Sequence, residues 1–287
     1  MEHPAELAVH QYMESAIKGS STMSDDTINQ VALDVKEALT KQFGSGKSRG
    51  DFTLRMSNVG RPACQLWYDK NKPEVAVALP TTFMMNMMLG DIVEAVFKGI
   101  LKEAGVKYQD SDSVELELDD ATINGTYDIV IDGAVDDIKS ASDWSYKYKF
   151  ESYDTLKQGD SFGYISQLAG YAKASGLKAG GWWVVNKATG AFKYIRAKWL
   201  DIDEEVYRIQ SKVNQLKENK FVRKFQPVTE MFRKKATGNM ILNNGCKFCS
   251  YRFDCWPTLQ EIPSVVSEAK DPKIVQYVKI EEKYKNA

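Results

Sequence analysis

The chain has 287 residues, 43% of them hydrophobic, which is ample for a sizeable core in one large domain or two small ones. A formal net charge of −1 excludes a surface coated in positive potential, so any nucleic-acid contact must use local basic stretches. With only two histidines, His3 and His10, serine triads, papain-like cysteine–histidine pairs and three-histidine zinc sites drop out, and carboxylate and lysine chemistry remains.

No apolar run approaches the roughly 20 residues of a membrane span, and MEHPAELAVH lacks a basic n-region and an apolar h-region, so no membrane partner and a cytoplasmic location are expected. Residues 5–18 and 25–43 predict two amphipathic helices, split by GSSTMSDD, whose Ser and Asp residues are good N-caps. GSGKSRGD then reads as a flexible link. Its Gly46-Lys47-Ser48 matches the end of a P-loop, but that motif needs glycine where Lys41 stands, and no strand precedes it. Residues 81–104 have helical periodicity behind a threonine cap, and their Met and Phe stripe reads as core.

VELELD (114–119), TINGTYDIVID and AVDDIKS predict three consecutive antiparallel strands. Asp132-Gly133 fits a two-residue type I′ turn. That turn sets Ile131 against Ala134, Val130 against Val135, Ile129 against Asp136 and Asp128 against Asp137. Opposed side chains share a face about 4.5–5.5 Å apart at Cβ, and the strand period of two returns Lys139 to the face of Asp137. Two carboxylates there repel; a divalent cation on oxygen ligands would relieve them and leave the lysine free to meet an anion. Asp136 falls on the other face and reads as strand-end or solvated.

After a polar loop, residues 161–176 predict a helix ended by Gly176. GGWWVVNKATGAFKYIRAKW gives two strands around an NKATG turn. Residues 201–221 form a charged helix with Val206, Ile209, Val213 and Leu216 on one face. The order predicts one α/β domain with helical additions at both ends. Two basic stretches, residues 220–238 and YKYKF at 146–150, read either as solvated faces or as nucleic-acid contacts. All four cysteines fall in one pattern, Cys64 and then Cys246-x2-Cys249-x5-Cys255, which suits metal binding better than disulfides; zinc and iron–sulfur both satisfy four thiolates.

Glu94 in LGDIVEAVF, Asp128 in GTYD, Asp137-Ile138-Lys139, and Gln167-Leu-Ala-Gly-Tyr171 follow in an order that resembles the PD-(D/E)XK nuclease superfamily. The Gln-x3-Tyr element places the resemblance nearer its RecB-like and Cas4-like branch. It covers roughly residues 60–257. It implies a restriction-endonuclease-like core, a mixed central sheet flanked by helices, with helical N- and C-terminal additions clasped by a four-cysteine cluster. The implied segments are 1–55, a nuclease domain at 56–257 and a tail at 258–287. Asp128, Asp137 and the Ile138 carbonyl would hold Mg²⁺ or Mn²⁺. Lys139 would orient or deprotonate water or neutralise phosphate, and Gln167 and Tyr171 would position the DNA backbone or the lysine. Glu94 stands where many RecB-like members carry histidine, and its role as ligand or base stays open; Asp137 stands where the branch more often has glutamate.

The cysteine order resembles the [4Fe-4S] clasp of Cas4-like nucleases, with Zn²⁺ as the alternative. The resemblance implies a metal-dependent DNA exonuclease, 5′ to 3′ and single-strand preferring, in recombination, repair or phage DNA processing. A DNA-end-binding factor and a structure-specific endonuclease are the other readings, and the oligomeric state is open. Trp144, Tyr146, Tyr148 and Trp182 are candidates to stack on unpaired bases, with core packing the competing reading for Trp182 and Trp183.

Overall fold

The computed structural model describes residues 3–44 and 52–284; the Gly46-Lys47-Ser48 segment and its link lie outside them. The elements begin with α1 (Pro4–Ile17), α2 (Asp25–Phe43), α3 (Met56–Val59), α4 (Ala63–Asn71) and α5 (Thr81–Glu103). There follow β1 (Tyr108–Gln109), β2 (Asp112–Glu117), β3 (Thr122–Tyr127), β4 (Ile129–Ile131) and β5 (Ala134–Ala141). A π turn (Ser145–Lys149), α6 (Tyr153–Gly159) and α7 (Tyr164–Ser175) lead to β6 (Lys178–Asn186), β7 (Phe192–Arg196) and α8 (Ile202–Glu218). The chain ends in β8 (Val228–Phe232), β9 (Lys235–Ile241), α9 (Arg252–Cys255), β10 (Gln260–Pro263) and β11 (Ile274–Lys279). It divides into one unit of Met1–Arg61 and Pro80–Asn214 and another of Pro62–Leu79 and Gln215–Ala287, with the division falling inside α8.

The first unit is mixed α/β, and its central sheet runs β1-β4-β5-β6-β7. Only β5 and β6 pair in parallel. A parallel pair needs a long crossover, which the π turn, α6 and α7 supply. Adjacent residues on a strand point to opposite faces, so Trp182 and Trp183 bury in different cores. Trp182 packs with Val130, Val135, Val184, Leu168 and Tyr171. Trp183 packs with Ile129, Ile131, Ile138, Phe97 and Val9. Both indoles are fully buried, which removes Trp182 from the candidates for base stacking.

Asp132 and Gly133 take φ of 51° and 73°, as a type I′ turn requires. The expected register follows through Ile131↔Ala134, Val130↔Val135 and Ile129↔Asp136, where the ladder stops. Asp128 is a bend rather than a paired residue: its Oδ2 accepts from the Ile138 amide at 2.7 Å. The three expected consecutive strands therefore split there, and β2 and β3 form a separate two-stranded ribbon.

α1 and α2 take the expected places, with Ser24 capping α2. Glu6 on α1 accepts from the Tyr194 amide at 2.9 Å, which covers the outer edge of β7. The threonine cap expected for α5 is absent; Pro80 holds the N-cap position and no side chain bonds there. α7 ends as expected at Gly176, φ 69°. The polar loop expected before α7 instead contains the π turn and α6.

The second unit departs from the expected helical addition and tail. Its sheet, β10-β11-β9-β8, is antiparallel throughout. The carboxylate of Glu230 organises it from within, accepting from Tyr277 Oη at 2.7 Å, Asn239 Nδ2 at 2.8 Å and Thr237 Oγ1 at 3.0 Å. The β8–β9 hairpin turns at Arg233 and Lys234, both at positive φ (48° and 64°). Nothing in that dipeptide announces a turn, since left-handed backbone favours Gly, Asn or Asp.

Candidate functional site

Asp137 and Lys139 share one face of β5, and the Lys139 Nζ donates to Asp137 Oδ1 at 2.6 Å. Among the described residues, Asp137 Oδ2 is buried without a donor in hydrogen-bonding geometry. The Asp128 carboxyl lies beside it, so the two expected opposing acids do meet, through the bend rather than through ladder pairing. Burial, reinforced by the charge of Asp137, pushes Asp128 up to about 6. Burial also raises Asp137, against the pull of Lys139. For Lys139, burial works against the charge, but Asp137 and Asp128 overcome it and hold the ammonium well above the usual lysine range.

Glu94 projects from α5 toward the same acids. Burial and the charge of Asp128 raise its pKa, and its Oε1 pairs with Lys98 one turn on at 3.0 Å. Lys98 also bonds Asp110 at 2.9 Å; sequence reading passed over it because a basic residue on a helix is ordinarily solvated. A cleft of about 400 Å³ opens here, lined by Asp34, Glu37, Asp91, Glu94, Asp110 and Asp128 against Lys41 and Lys98. Its balance is acidic, which suits cation entry better than a DNA backbone.

From α7, Gln167 Nε2 donates to Tyr171 Oη at 3.1 Å. Burial and the charge of Asp137 raise the Tyr171 hydroxyl, so this pair joins the same cluster. The start of α7 is fixed twice. Asp160 accepts from the amides of Gly163 (2.8 Å), Tyr164 (3.0 Å) and Ile165 (2.9 Å), and a Cβ on Gly163 would lie 2.1 Å from the Gly60 backbone. Asp160→Ala is expected to lower stability by about 1–2 kcal/mol, the usual cost of a lost cap, and to slow any chemistry that depends on Gln167 and Tyr171. Urea unfolding against wild type measures it.

Asp136 is neither strand-end nor solvated. It is buried on the opposite face, accepting from Tyr194 Oη at 2.7 Å and the Gly181 amide at 2.7 Å, and burial pushes it up to about 7. A Cβ on Gly180 would stand 2.0 Å from its Oδ1. The glycine pair was the available signal for that close approach.

Among the described residues, no three acid, cysteine or histidine groups stand in ligating geometry. Lys139, the Ile138 amide and Lys98 each hold one of the three carboxylates. Asp128, Asp137, Lys139, Glu94, Gln167 and Tyr171 nonetheless gather at one place.

The four cysteines all fall in the second unit and are free thiols. The α4 segment that carries Cys64 touches the 246–255 loop through its aromatic and acidic neighbours, but the four cysteines do not stand close together as the expected cluster requires. Tyr68 stacks on Tyr251 at 4.8 Å and 11° and donates to Asp254 at 2.8 Å, while Tyr251 donates to Asp69. Burial first, and then the charges of Cys249, Cys64 and Cys255, push Cys246 up to about 12. Burial pushes Cys249 up to about 11. In the 220–238 stretch, Arg223 is structural rather than a free charge: it donates to the Cys255 carbonyl at 2.7 Å and lies 4.6 Å from the Trp256 ring centroid.

No family model and no curated protein matches the chain. Among solved structures, the crystal structure of SSO0001 aligns with 82% of this chain and 98% of its own at 16% identity and a TM-score of 0.42. No helix among the described residues is long and apolar enough to cross a membrane.

Proposed function

We propose that the chain is a divalent-metal-dependent DNA exonuclease with a restriction-endonuclease-like core of the PD-(D/E)XK type, acting on single strands or duplex ends, 5′ to 3′. One observation carries the reading: two buried carboxyls, Asp137 and Asp128, side by side with a lysine on the same strand face. Burying acids together costs several kcal/mol, which a pure end-binding module has no use for. The donor set is all oxygen and fits a hard cation, with Asp128, Asp137, the Ile138 carbonyl and Glu94 as the residues that would hold it. Bound Mg²⁺ or Mn²⁺ would supply a water of lowered pKa and offset charge on the phosphate.

The protein's own groups do the rest. Lys139, kept charged by Asp137 and Asp128, presents an ammonium to the scissile phosphate or its attacking water. Tyr171, held by Gln167, fixes the side of the site formed by α7. The cysteine types and their place in one unit support a soft metal centre, a [4Fe-4S] cluster or Zn²⁺, that would have to draw the four thiols together between α4 and the 246–255 loop.

End-labelled single and double strands, incubated with Mg²⁺, Mn²⁺ or EDTA beside covalently closed circles, test this. Progressive loss of linear DNA with metal alone is expected, single strands faster. Equal cutting of closed circles would replace the exonuclease with an endonuclease, and no cleavage with either metal would remove the nuclease.

A further inference from the structure

Lys149 is a lysine that the acid cluster does not absorb. It closes the π turn with its ammonium 4.4 Å from the Tyr164 ring centroid and 4.5 Å from that of Phe162. Among the described residues its Nζ makes no hydrogen bond or ion pair. Asp160 attracts it only at longer range, and the Asp160 oxygens already serve the start of α7. Burial lowers Lys149 to about 8, with repulsion from Lys139 adding to it.

Tyr164 joins the two lysines, since Lys139 Nζ lies 5.3 Å from the same ring centroid. Two ammonium groups at one ring, the second without a carboxylate, form a place that an anion would stabilise. Exposed aromatic side chains lie on the same two segments. Phe162, 52% exposed, stacks on Tyr164 at 12°. Trp144 and Tyr148, from the Lys149 segment, are 65% and 59% exposed with centroids 5.7 Å apart.

We propose that Lys149, with Phe162, Trp144 and Tyr148, forms a subsite for the nucleotide next to the scissile one in single-stranded DNA, the ammonium taking its phosphate and the exposed rings its unpaired base. The subsite rests on the nuclease reading and deepens it, because a base in a duplex cannot offer its face to a ring, whereas every unpaired base can. A cation on aromatic faces, partly desolvated, also binds phosphate more strongly than a free surface lysine.

The test is fluorescence anisotropy with labelled oligo-dT and a blunt duplex of equal length in EDTA, across about 50–200 mM salt. Wild type, Lys149→Met, Lys149→Arg and Trp144→Ala are compared, with thermal melts of each. Lys149→Met is expected to weaken single-strand binding about tenfold and to flatten the slope of log K against log salt by about 0.7, one phosphate's share. Lys149→Arg should restore the slope. Trp144→Ala, at an exposed position, should cost about tenfold on the single strand and little on the duplex. An unchanged slope in a folded Lys149→Met protein overturns the phosphate contact; unchanged single-strand affinity in Trp144→Ala, or an equal loss on the duplex, overturns the base contact. Wild type that binds through Lys149 yet degrades no DNA with Mg²⁺ or Mn²⁺ supports the subsite and overturns the nuclease reading alone. Wild type that degrades DNA while these variants bind normally does the reverse.

Discussion

Lys139→Ala is expected to lower kcat on single-stranded DNA by at least about 10²–10³-fold, the usual loss when a preorganised charge aimed at the reacting group is removed. DNA affinity should fall by no more than one phosphate contact. Two consequences follow from where Lys139 sits. Its Nζ holds Asp137 Oδ1 at 2.6 Å, and among the described residues the other oxygen of that carboxylate has no donor in hydrogen-bonding geometry. Removing the ammonium leaves Asp137 and Asp128 facing each other uncompensated, so the metal-free variant should lose about 3–5 kcal/mol, as when one member of a buried pair is deleted. Millimolar Mg²⁺ should then stabilise the variant more than wild type, because the cation takes over the screening, while the activity stays lost. Single-turnover cleavage, anisotropy and melts with and without Mg²⁺ separate the effects. Cleavage retained by Lys139→Ala would take the lysine out of the chemistry; equal stabilisation by Mg²⁺ in both proteins would take the metal away from Asp137 and Asp128.

The strand face carrying Asp137 and Lys139 was legible because Asp-Gly dictates a turn and the turn dictates a register; the ladder ends at Ile129↔Asp136, one pair short of the expected Asp128–Asp137 pairing. Beyond it, local rules stopped being enough. Asp128 reaches the Ile138 amide by its side chain instead of continuing the strand. That is a tertiary choice that alternation cannot reveal. Asp136 looked solvated because an acid at a strand end usually is, and its partner Tyr194 lies far along the chain. The helices α2, α5, α7 and α8 were readable from their period, α2 and α7 also from their caps, whereas the second unit's sheet was not. Its strands mix charge with apolar residues, and its first hairpin turns on Arg233-Lys234. Lys149 was visible only as a residue in an aromatic-basic run; its meeting with Tyr164 and Lys139 comes from the crossover that brings α7 back over β5.

The cysteine unit carries the second large expectation. The purified protein should be brown, with broad absorbance near about 400 nm, and Cys249→Ser or Cys64→Ser should abolish the colour. The physical case begins with the free thiols: burial and mutual repulsion push Cys246 up to about 12 and Cys249 up to about 11, so without metal they stay protonated. A cluster or ion that deprotonates them couples its binding energy to the fold, a coupling of roughly 10–16 kcal/mol for structural zinc in small domains. Without any metal, Tyr68, Asp254, Tyr251 and Asp69 already join α4 to the loop. The serine variants should therefore keep local contacts yet lose more than about 4 kcal/mol, a range that metal loss reaches and surface changes do not. Limited proteolysis should then cut the 246–255 loop first. Because Cys64 sits on a separate segment from the other three, it is the sharper probe: a Cys64→Ser protein as brown and as protease-resistant as wild type would remove α4 from the clasp. A colourless wild type with one zinc per chain would keep the clasp and change its metal, and a colourless, metal-free wild type that melts as high as any reconstituted sample would remove the centre altogether.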